Sequence, residues 1–275
     1  MTKLKKKVVV IGAGHNALTC ASYLAKSGFE VEVHESRSEV GGMACTREFT
    51  EGYKVPGVAH LLHMLNPNIQ KWLGLNKNGL EFAANRLKTI SLNPNGNALV
   101  IDGDHLEGDG ITDQHRAEFK SFKKKTNSLA QFFRSAYQIS PPRIRTDNKK
   151  DLLGLMQTGW NLRTMGNEGM TDMLRFIAIN VFDLLDEYFD NDFIKGSLAI
   201  DAVLGNHLGP RTNNSVITYL HTLTGEIDGV QGAYAIPKGG MSSYTDALKN
   251  SAEKLGVRIV LDSHVEQIIV DENGK

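Results

Sequence analysis

The sequence predicts an α/β fold in which a parallel β-sheet is interrupted by a long insertion that is helical or α+β. Two observations predict it. A strand, a helix and a second strand follow one another within the first 34 residues, and the same patterning returns after residue 230, whereas helical segments dominate between 114 and 190. Strand–helix–strand units cross over right-handed into a parallel sheet. The predicted domains are residues 1–65 with 231–275 for the sheet and residues 66–230 for the insertion.

The first three elements follow from their hydrophobic patterns. Residues 7–11 form a continuous apolar run, which is typical of a strand buried on both faces of a parallel sheet. Residues 15–27 have a helical pattern, and Gly28 stands where a glycine commonly ends a helix. Residues 30–34 alternate as a second strand.

The insertion begins with loops. Asn-Pro pairs at 66–67 and 93–94 predict them, and long helices are predicted over 118–137 and 172–189. The second helix is unusually apolar from Met173 to Phe189, which predicts either an apolar tunnel, a surface that dips into a membrane, or ordinary core packing.

Residues 231–275 return to the sheet. Strands are predicted over 257–261 and 265–270, and Asn273-Gly274 predicts a two-residue hairpin turn. A hairpin turn calls for a second strand beyond it, so we expect this chain to be a truncated form of a longer protein.

Composition excludes several classes of function. The chain has 31 Lys and Arg residues and 31 Asp and Glu residues. It therefore lacks the net positive charge that would favour nucleic acid as a partner. The two cysteines, Cys20 and Cys45, lie far apart and exclude a C-x-x-C dithiol or a four-cysteine zinc site. No apolar run has the length of a membrane span. We expect a cytoplasmic protein, either free or in peripheral contact with a membrane.

A dinucleotide-binding motif follows the first strand. Gly12-Ala-Gly14-His15-Asn16-Ala17 matches G-x-G-x-x-G/A, and Glu35 follows 23 residues after Gly12, at the end of the next strand. Gly12 permits the tight turn, Gly14 lets a pyrophosphate approach the backbone, and Ala17 allows close packing of helix on strand. Glu35 is suited to accept hydrogen bonds from ribose hydroxyls, and its charge repels a 2′-phosphate. This context predicts a Rossmann-like domain.

A second glycine pair, Gly41-Gly42, follows soon after Glu35. Two glycines in a loop let a second backbone segment press against an extended cofactor, which favours FAD over a simple NAD site. The alternative is an ordinary turn.

Together the segments 10–17 and 35–46 resemble the N-terminus of phytoene desaturase-like and related amine-oxidase-superfamily flavoproteins, and 208–211, 234–242 and 255–268 continue the resemblance in order. The nearest branch is that of NAD(P)/FAD-dependent oxidoreductases that includes pyridine nucleotide-disulfide oxidoreductase domain-containing protein 2. The resemblance implies FAD extended across the Rossmann-like domain. The cofactor-binding residues it implies, together with the motif, are Gly12, Gly14, His15, Asn16, Ala17, Glu35, Ser36, Gly41, Gly42, Met43, Ala44, Ala59, His60 and Val265.

Two departures accompany the resemblance. Relatives often carry Arg where this chain has Met43, and they continue to a glycine-containing segment near the flavin that this chain lacks.

The implied activity is that of an FAD-dependent dehydrogenase or desaturase, which transfers a hydride from a hydrophobic small molecule to flavin and then to an unidentified acceptor. Two alternatives stay open: a non-catalytic binding protein like the Rab GDP-dissociation inhibitors, and an inactive truncated flavoenzyme.

No side chain identifies itself as a catalytic base. His60 and His63 lie in an apolar run and are interpreted as structural, as are His207 and His221. The acidic cluster Asp183, Asp186, Glu187 and Asp190 is interpreted as a solvated helix face rather than a metal site.

Overall fold

The chain begins with the predicted strand, helix and strand. In the computed structural model, which describes residues 6–94, 96, 98–144, 147–270 and 272, they are β1 (Lys7–Ile11), α1 (His15–Lys26) and β2 (Glu30–His34). β1 and β2 pair in parallel, with Lys7 opposite Glu30 and Ile11 opposite His34. Gly28 follows α1 with φ of +92°. The parallel, Rossmann-like beginning is therefore confirmed.

A hairpin and a short helix follow the sheet strands. These elements are β3 (Thr46–Thr50), β4 (Tyr53–Pro56), α2 (Pro67–Leu73), a 3-10 turn (Leu75–Asn78) and β5 (Phe82–Ala84). The loop predicted at Asn66-Pro67 ends at Asn66, because α2 begins at Pro67. Asn66 caps α2 by accepting a hydrogen bond from Asn68 N at 2.9 Å, and Pro67 takes the first helical position, where its missing N–H costs nothing.

The middle of the chain combines a small antiparallel sheet with helices. The strands are β6 (Thr89–Ser91), β7 (Leu99–Asp102) and β8 (His105–Glu107), in the order β6-β7-β8. The helices are α3 (Asp113–Ala136), α4 (Lys149–Thr164), α5 (Gly166–Ala178), α6 (Val181–Tyr188), α7 (Asp192–Val203) and α8 (Ser215–Thr222). A short hairpin, β9 (Glu226–Ile227) with β10 (Val230–Gln231), completes this part.

The apolar segment from Met173 to Phe189 belongs to the core. Met173, Phe176, Val181 and Leu184 are at most 1% exposed, in one cluster with residues of α3 and α8. Ordinary packing therefore explains this segment apart from Leu174, which is 64% exposed. The segment is also two helices rather than one, because Ile179 is extended and the Asn180 side chain accepts from Asp183 N at 2.8 Å to begin α6.

The chain then returns to the first sheet. The returning elements are β11 (Ile236–Pro237), α9 (Met241–Lys254) and β12 (Arg258–Val260). β11 pairs with β5, and β12 adds to β2 in parallel, which gives the order β1-β2-β12.

The strand predicted over 265–270 is wrong. Those residues adopt no regular structure, and none of the described residues pairs with them, so the segment lacks the hydrogen-bonding partner that a strand requires. The turn predicted at Asn273-Gly274 lies outside the described residues.

β1 is less buried than predicted. Val9 and Ile11 are 53% and 52% exposed, because β1 is an edge strand and the described residues cover only one face of this sheet. That face carries Val31 and Val33, and its core continues into Leu18 of α1 and Leu248 of α9.

Contacts divide the chain into two units. One comprises Met1–Asn85 with Tyr234–Lys275, and the other Arg86–Ala233. Residues 66–85, expected in the inserted domain, thus make their contacts in the first unit. Within the described residues, no helix combines the length and apolar character that crossing a bilayer requires.

Candidate dinucleotide-binding site

The loop between β1 and α1 carries the first two glycines. Gly12 has φ of +89°, which favours glycine, and its N–H donates to the carbonyl of His34 at 2.7 Å. Gly14 has φ of −69°, which any residue can adopt. A Cβ at Gly14 would meet no atom within 4 Å. The fold therefore requires glycine at Gly12, whereas at Gly14 the missing side chain leaves the backbone open to close approach.

The first turn of α1 is suited to an anion. Gly14 is its N-cap, without a side-chain capping bond, and the first turn contains no acidic residue. Its N–H groups and the positive end of the helix dipole therefore point outward together. His15 follows directly, and burial lowers its pKa, so the imidazole is neutral near pH 7. The positive potential here comes from the backbone.

Glu35 holds the glycine loop in place. It is 8% exposed, and its Oε2 accepts a hydrogen bond from Ala13 N at 2.7 Å. Its Oε1 accepts from Arg37 N at 3.1 Å and from Ser36 Oγ at 3.3 Å. Burial alone would raise the pKa of Glu35, but these hydrogen bonds outweigh it and lower the pKa. Glu35 is thus an ionised carboxylate with three of about four acceptor positions filled by the protein.

The second glycine pair packs against the first loop. Gly41 N donates to the carbonyl of Ala13 at 2.9 Å, and Gly41 bridges Gly14 in parallel. A Cβ on Gly42 would lie 3.4 Å from the Cα of Gly14, and one on Gly41 would lie 2.9 Å from Thr245 Oγ1. Both also have positive φ, +122° and +58°. The two glycine loops therefore form one continuous backbone surface.

The residues after this pair contact the segment predicted near the flavin. Ala59 N donates to the carbonyl of Met43 at 3.0 Å, and Ala44 is buried. The Met43 side chain is 68% exposed, and His60 is exposed as well. The structure thus joins the backbones of Met43 and Ala59 and leaves the side chains of Met43 and His60 in solvent.

A cavity of about 340 Å³ lies beside the start of α1. Predicted site residues that line it are His15, Asn16, Ala44 and Ala59. Sequence analysis considered His63 but interpreted it as structural, and it missed the rest of the lining: Thr19, Leu61, Leu62, Met64, Leu65, Asn66, Ile69, Met241 and Tyr244. A signal existed for two of them, since Met241 and Tyr244 lie three apart at the start of α9 with Leu248 further along its buried face.

Tyr244 gives this cavity a polar edge. It is 7% exposed, and burial raises its pKa to about 12. Its hydroxyl therefore keeps its proton throughout the neutral range. Met64 adds a strained backbone position on the same wall, with φ of +56°.

Backbone hydrogen bonds of the two residues Asp262 and Ser263 fix the position of the segment that leads to Val265. Ser263 N donates to the carbonyl of Glu35 at 2.8 Å, and Asp262 N to that of Arg37 at 3.0 Å. The backbone therefore passes directly beside Glu35 two residues before Val265, which is half-buried.

Local partners engage His221 and the acidic cluster, which were set aside as catalytic and metal-binding candidates. His221 lies in the second unit, 3.0 Å from the Tyr137 hydroxyl, and burial lowers its pKa. The acidic cluster is divided among separate partners: the Asp183 carboxylate accepts a hydrogen bond from Asn180 Nδ2, Asp186 pairs with Lys195, Glu187 with Arg175 and Asp190 with His115. In the part of the chain that the structure describes, no three His, Cys, Asp or Glu side chains are grouped to hold a metal ion.

Comparison with known proteins agrees with this geometry. A family model described as NAD(P)-binding Rossmann-like domain matches residues 10–74. Pyridine nucleotide-disulfide oxidoreductase domain-containing protein 2 of Rattus norvegicus is 28% identical over 97% of this chain and 49% of its own length. Phytoene desaturase of Fusarium fujikuroi is 23% identical over 99% of this chain and 45% of its own length.

Solved structures show the same fold. Putrescine oxidase, bound to putrescine, superposes with a TM-score of 0.54 at 17% identity over 94% of this chain and 51% of its own. The chain thus spans about half the length of the curated relatives it matches.

Proposed function

We propose that this chain, a homologue of the phytoene desaturases with an NAD(P)-binding Rossmann-like domain at its N-terminus, is the FAD-binding part of an oxidoreductase acting on a hydrophobic small molecule. One observation carries the proposal. The two glycine loops meet, with Gly42 against Gly14, around the uncapped start of α1 and beside the ionised Glu35.

The residues fit the ADP half of FAD by their chemistry. The N–H groups at the start of α1, from Gly14 through Ala17, would hold the pyrophosphate. Glu35 has an acceptor position left for a ribose hydroxyl, with Ser36 beside it, and its negative charge disfavours a 2′-phosphate. Val265 would lie at the adenine.

The second glycine loop favours FAD over NAD. The backbone surface continues beyond the first loop through Gly41, Gly42, Met43 and Ala44. Ala59 adjoins this surface, because its N–H donates to the carbonyl of Met43. The part of FAD that extends beyond the pyrophosphate would contact this surface. Ala59 and His60 would lie towards the flavin.

The flavin supplies the redox step when bound, because it accepts a hydride from the substrate and delivers the electrons to a separate acceptor. The chain itself orients the substrate and excludes water from the cavity. Leu61, Leu62, Leu65 and Ile69 give the cavity beside α1 an apolar wall, which supports a hydrophobic substrate. Tyr244 keeps its hydroxyl proton there and is suited to donate a hydrogen bond.

Flavin content tests the proposal. The purified chain is incubated with excess FAD, desalted, and its visible absorbance recorded, with NAD and NADP as competitors. We expect retained flavin bands that NAD and NADP displace poorly. Gly14→Leu places a side chain where the backbone is open, and we expect it to abolish retention without unfolding the protein.

The matched control is Gly196→Leu, in α7, because a Cβ there also meets no atom within 4 Å. Equal flavin retention by both variants would show that Gly14 is not at the cofactor. A chain that is folded by circular dichroism but takes up no flavin contradicts the FAD proposal for this chain and favours a binding protein or an inactive form.

A further inference from the structure

Helix α4 presents its apolar side outward. It is 16 residues long and contains no buried residue. Leu152, Leu153, Met156 and Trp160 are 46%, 63%, 70% and 68% exposed. Surface helices ordinarily turn such a stripe towards the core, so this face calls for a separate explanation.

The spacing places these four residues together. Leu152, Met156 and Trp160 follow one another at intervals of four, and Leu153 precedes Met156 by three, so all lie on one side of the helix. The opposite side holds Asp151, Gly154, Thr158 and Leu162, which are only partly exposed. That side packs towards α3 and α5, and a Cβ on Gly154 would lie 3.4 Å from Pro142. We call the outward side the α4 face.

Basic residues border the α4 face at both ends. Lys149 precedes Leu152 by one turn and Arg163 follows Trp160 by one turn, and both are exposed on the same side of the helix. The helix contains one acid, Asp151, which lies on the inner side. Between 143 and 163 the chain carries five basic residues and two acidic ones. The face therefore combines apolar contact area with a positive border.

We propose that the α4 face docks on an anionic phospholipid membrane. A helix of 16 residues is about 24 Å long, and its charged ends suit it to lie in the plane of the interface. The four apolar side chains would enter the boundary between headgroups and acyl chains, with Trp160 at the depth that tryptophan prefers. Lys149 and Arg163 would contact lipid phosphates at either end.

A second copy of the chain fits this face less well. An antiparallel pair of α4 helices would place Lys149 opposite Arg163 of the other copy, and a parallel pair would place each cation opposite its own counterpart. Like charges would meet in both arrangements. The proposal concerns the second unit alone and does not depend on the FAD site.

Sedimentation with vesicles tests the docking. The chain is mixed with vesicles of phosphatidylcholine alone and of equal parts phosphatidylcholine and phosphatidylserine. We expect binding to the anionic vesicles that weakens with added salt. Leu153→Glu should lower the partition coefficient roughly tenfold or more, because it removes a leucine that would enter the membrane and adds repulsion from the anionic lipid. Lys149→Glu with Arg163→Glu should remove the preference for phosphatidylserine.

Leu204→Glu is the matched control. Leu204 is 65% exposed against 63% for Leu153, and it follows α7, which packs on α6 and α8. A Trp72→Phe variant leaves Trp160 as the one tryptophan, whose emission should shift to the blue with anionic vesicles. Three results would overturn the proposal: no binding to anionic vesicles, equal losses in the Leu153 and Leu204 variants, or a dimer by light scattering that Leu153→Glu dissociates.

Discussion

Glu35 shows how one residue serves both the fold and the candidate site. Its carboxylate accepts hydrogen bonds from Ala13 N and Arg37 N, so it fixes the loop that carries Gly12 and Gly14. Sequence reasoning assigned Glu35 only to a ribose, because spacing shows that an acid follows the second strand but cannot show that it reaches back to the first loop. A change at Glu35 therefore affects loop geometry as well as any ligand contact.

Glu35→Gln should weaken FAD binding. The amide nitrogen donates and cannot accept, so either the buried Ala13 N–H or the partly buried Arg37 N–H loses its partner. We expect the free energy of FAD binding to weaken by about 1.5–3 kcal/mol, which raises Kd roughly ten- to 150-fold. Quenching of flavin fluorescence measures Kd. Glu48→Gln is the control, since Glu48 Oε1 accepts from Gly52 N at 2.9 Å in an exposed turn. An unchanged Kd in Glu35→Gln would remove Glu35 from the proposed site.

The same carboxylate predicts a pH dependence of stability. Hydrogen bonds hold the pKa of folded Glu35 below its ordinary value of 4.5, so between these two pKa values the unfolded chain binds the extra proton. The stabilisation is present above pH 4.5 and is lost as pH falls through the folded pKa. Thermal unfolding from pH 7 downward should show a smaller acid-induced loss in Glu35→Gln than in the unaltered chain. Parallel curves for the two proteins would contradict this.

At the scale of elements, the sequence predicted well those elements whose pattern lies within their own residues. It predicted poorly the features that depend on contacts between distant segments. β1, α1 and β2 were predicted to within a residue because an apolar run, a glycine turn and an alternating strand are all contained in their own sequence. The segment 265–270 is rich in β-branched residues but has no neighbouring strand among the described residues. The cavity lining was missed for a similar reason, since residues 61–66 meet Met241 and Tyr244 only through tertiary packing.

Two helices that begin with an asparagine cap differ in how deeply they are buried. Asn180 begins α6, which buries Val181, Leu184 and Leu185, whereas Asn148 begins α4, which buries none. Asn180→Ala removes the bond to Asp183 N and should cost about 1–2 kcal/mol in the free energy of unfolding. Asn148→Ala should cost about 0.5 kcal/mol or less, because fraying of α4 exposes little core. Chemical denaturation measures both, and equal losses would show that α4 contributes to the cooperative core.

At the scale of the whole molecule, the two units differ in how the chain builds them. The first is assembled from both ends of the chain, whereas the second is one continuous stretch, Arg86–Ala233. The core of the second unit lies within residues 99–223, and Arg134 of α3 contacts Glu226 of β9 at 2.6 Å within the same unit. Its helices and hairpins therefore find their partners without the sheet that contains β1.

This organisation predicts that residues 86–233 fold alone. The isolated fragment should give a helical circular dichroism spectrum and one cooperative thermal transition, and it should retain no flavin because it lacks both glycine loops. Phe122→Ala should destabilise it by about 3–5 kcal/mol, since Phe122 is fully buried, with ring contacts to Tyr188, Phe189 and Tyr219. In the full chain, FAD should then raise the transition of the first unit and leave that of the second unchanged. A fragment without a cooperative transition would show that the second unit needs the first in order to fold.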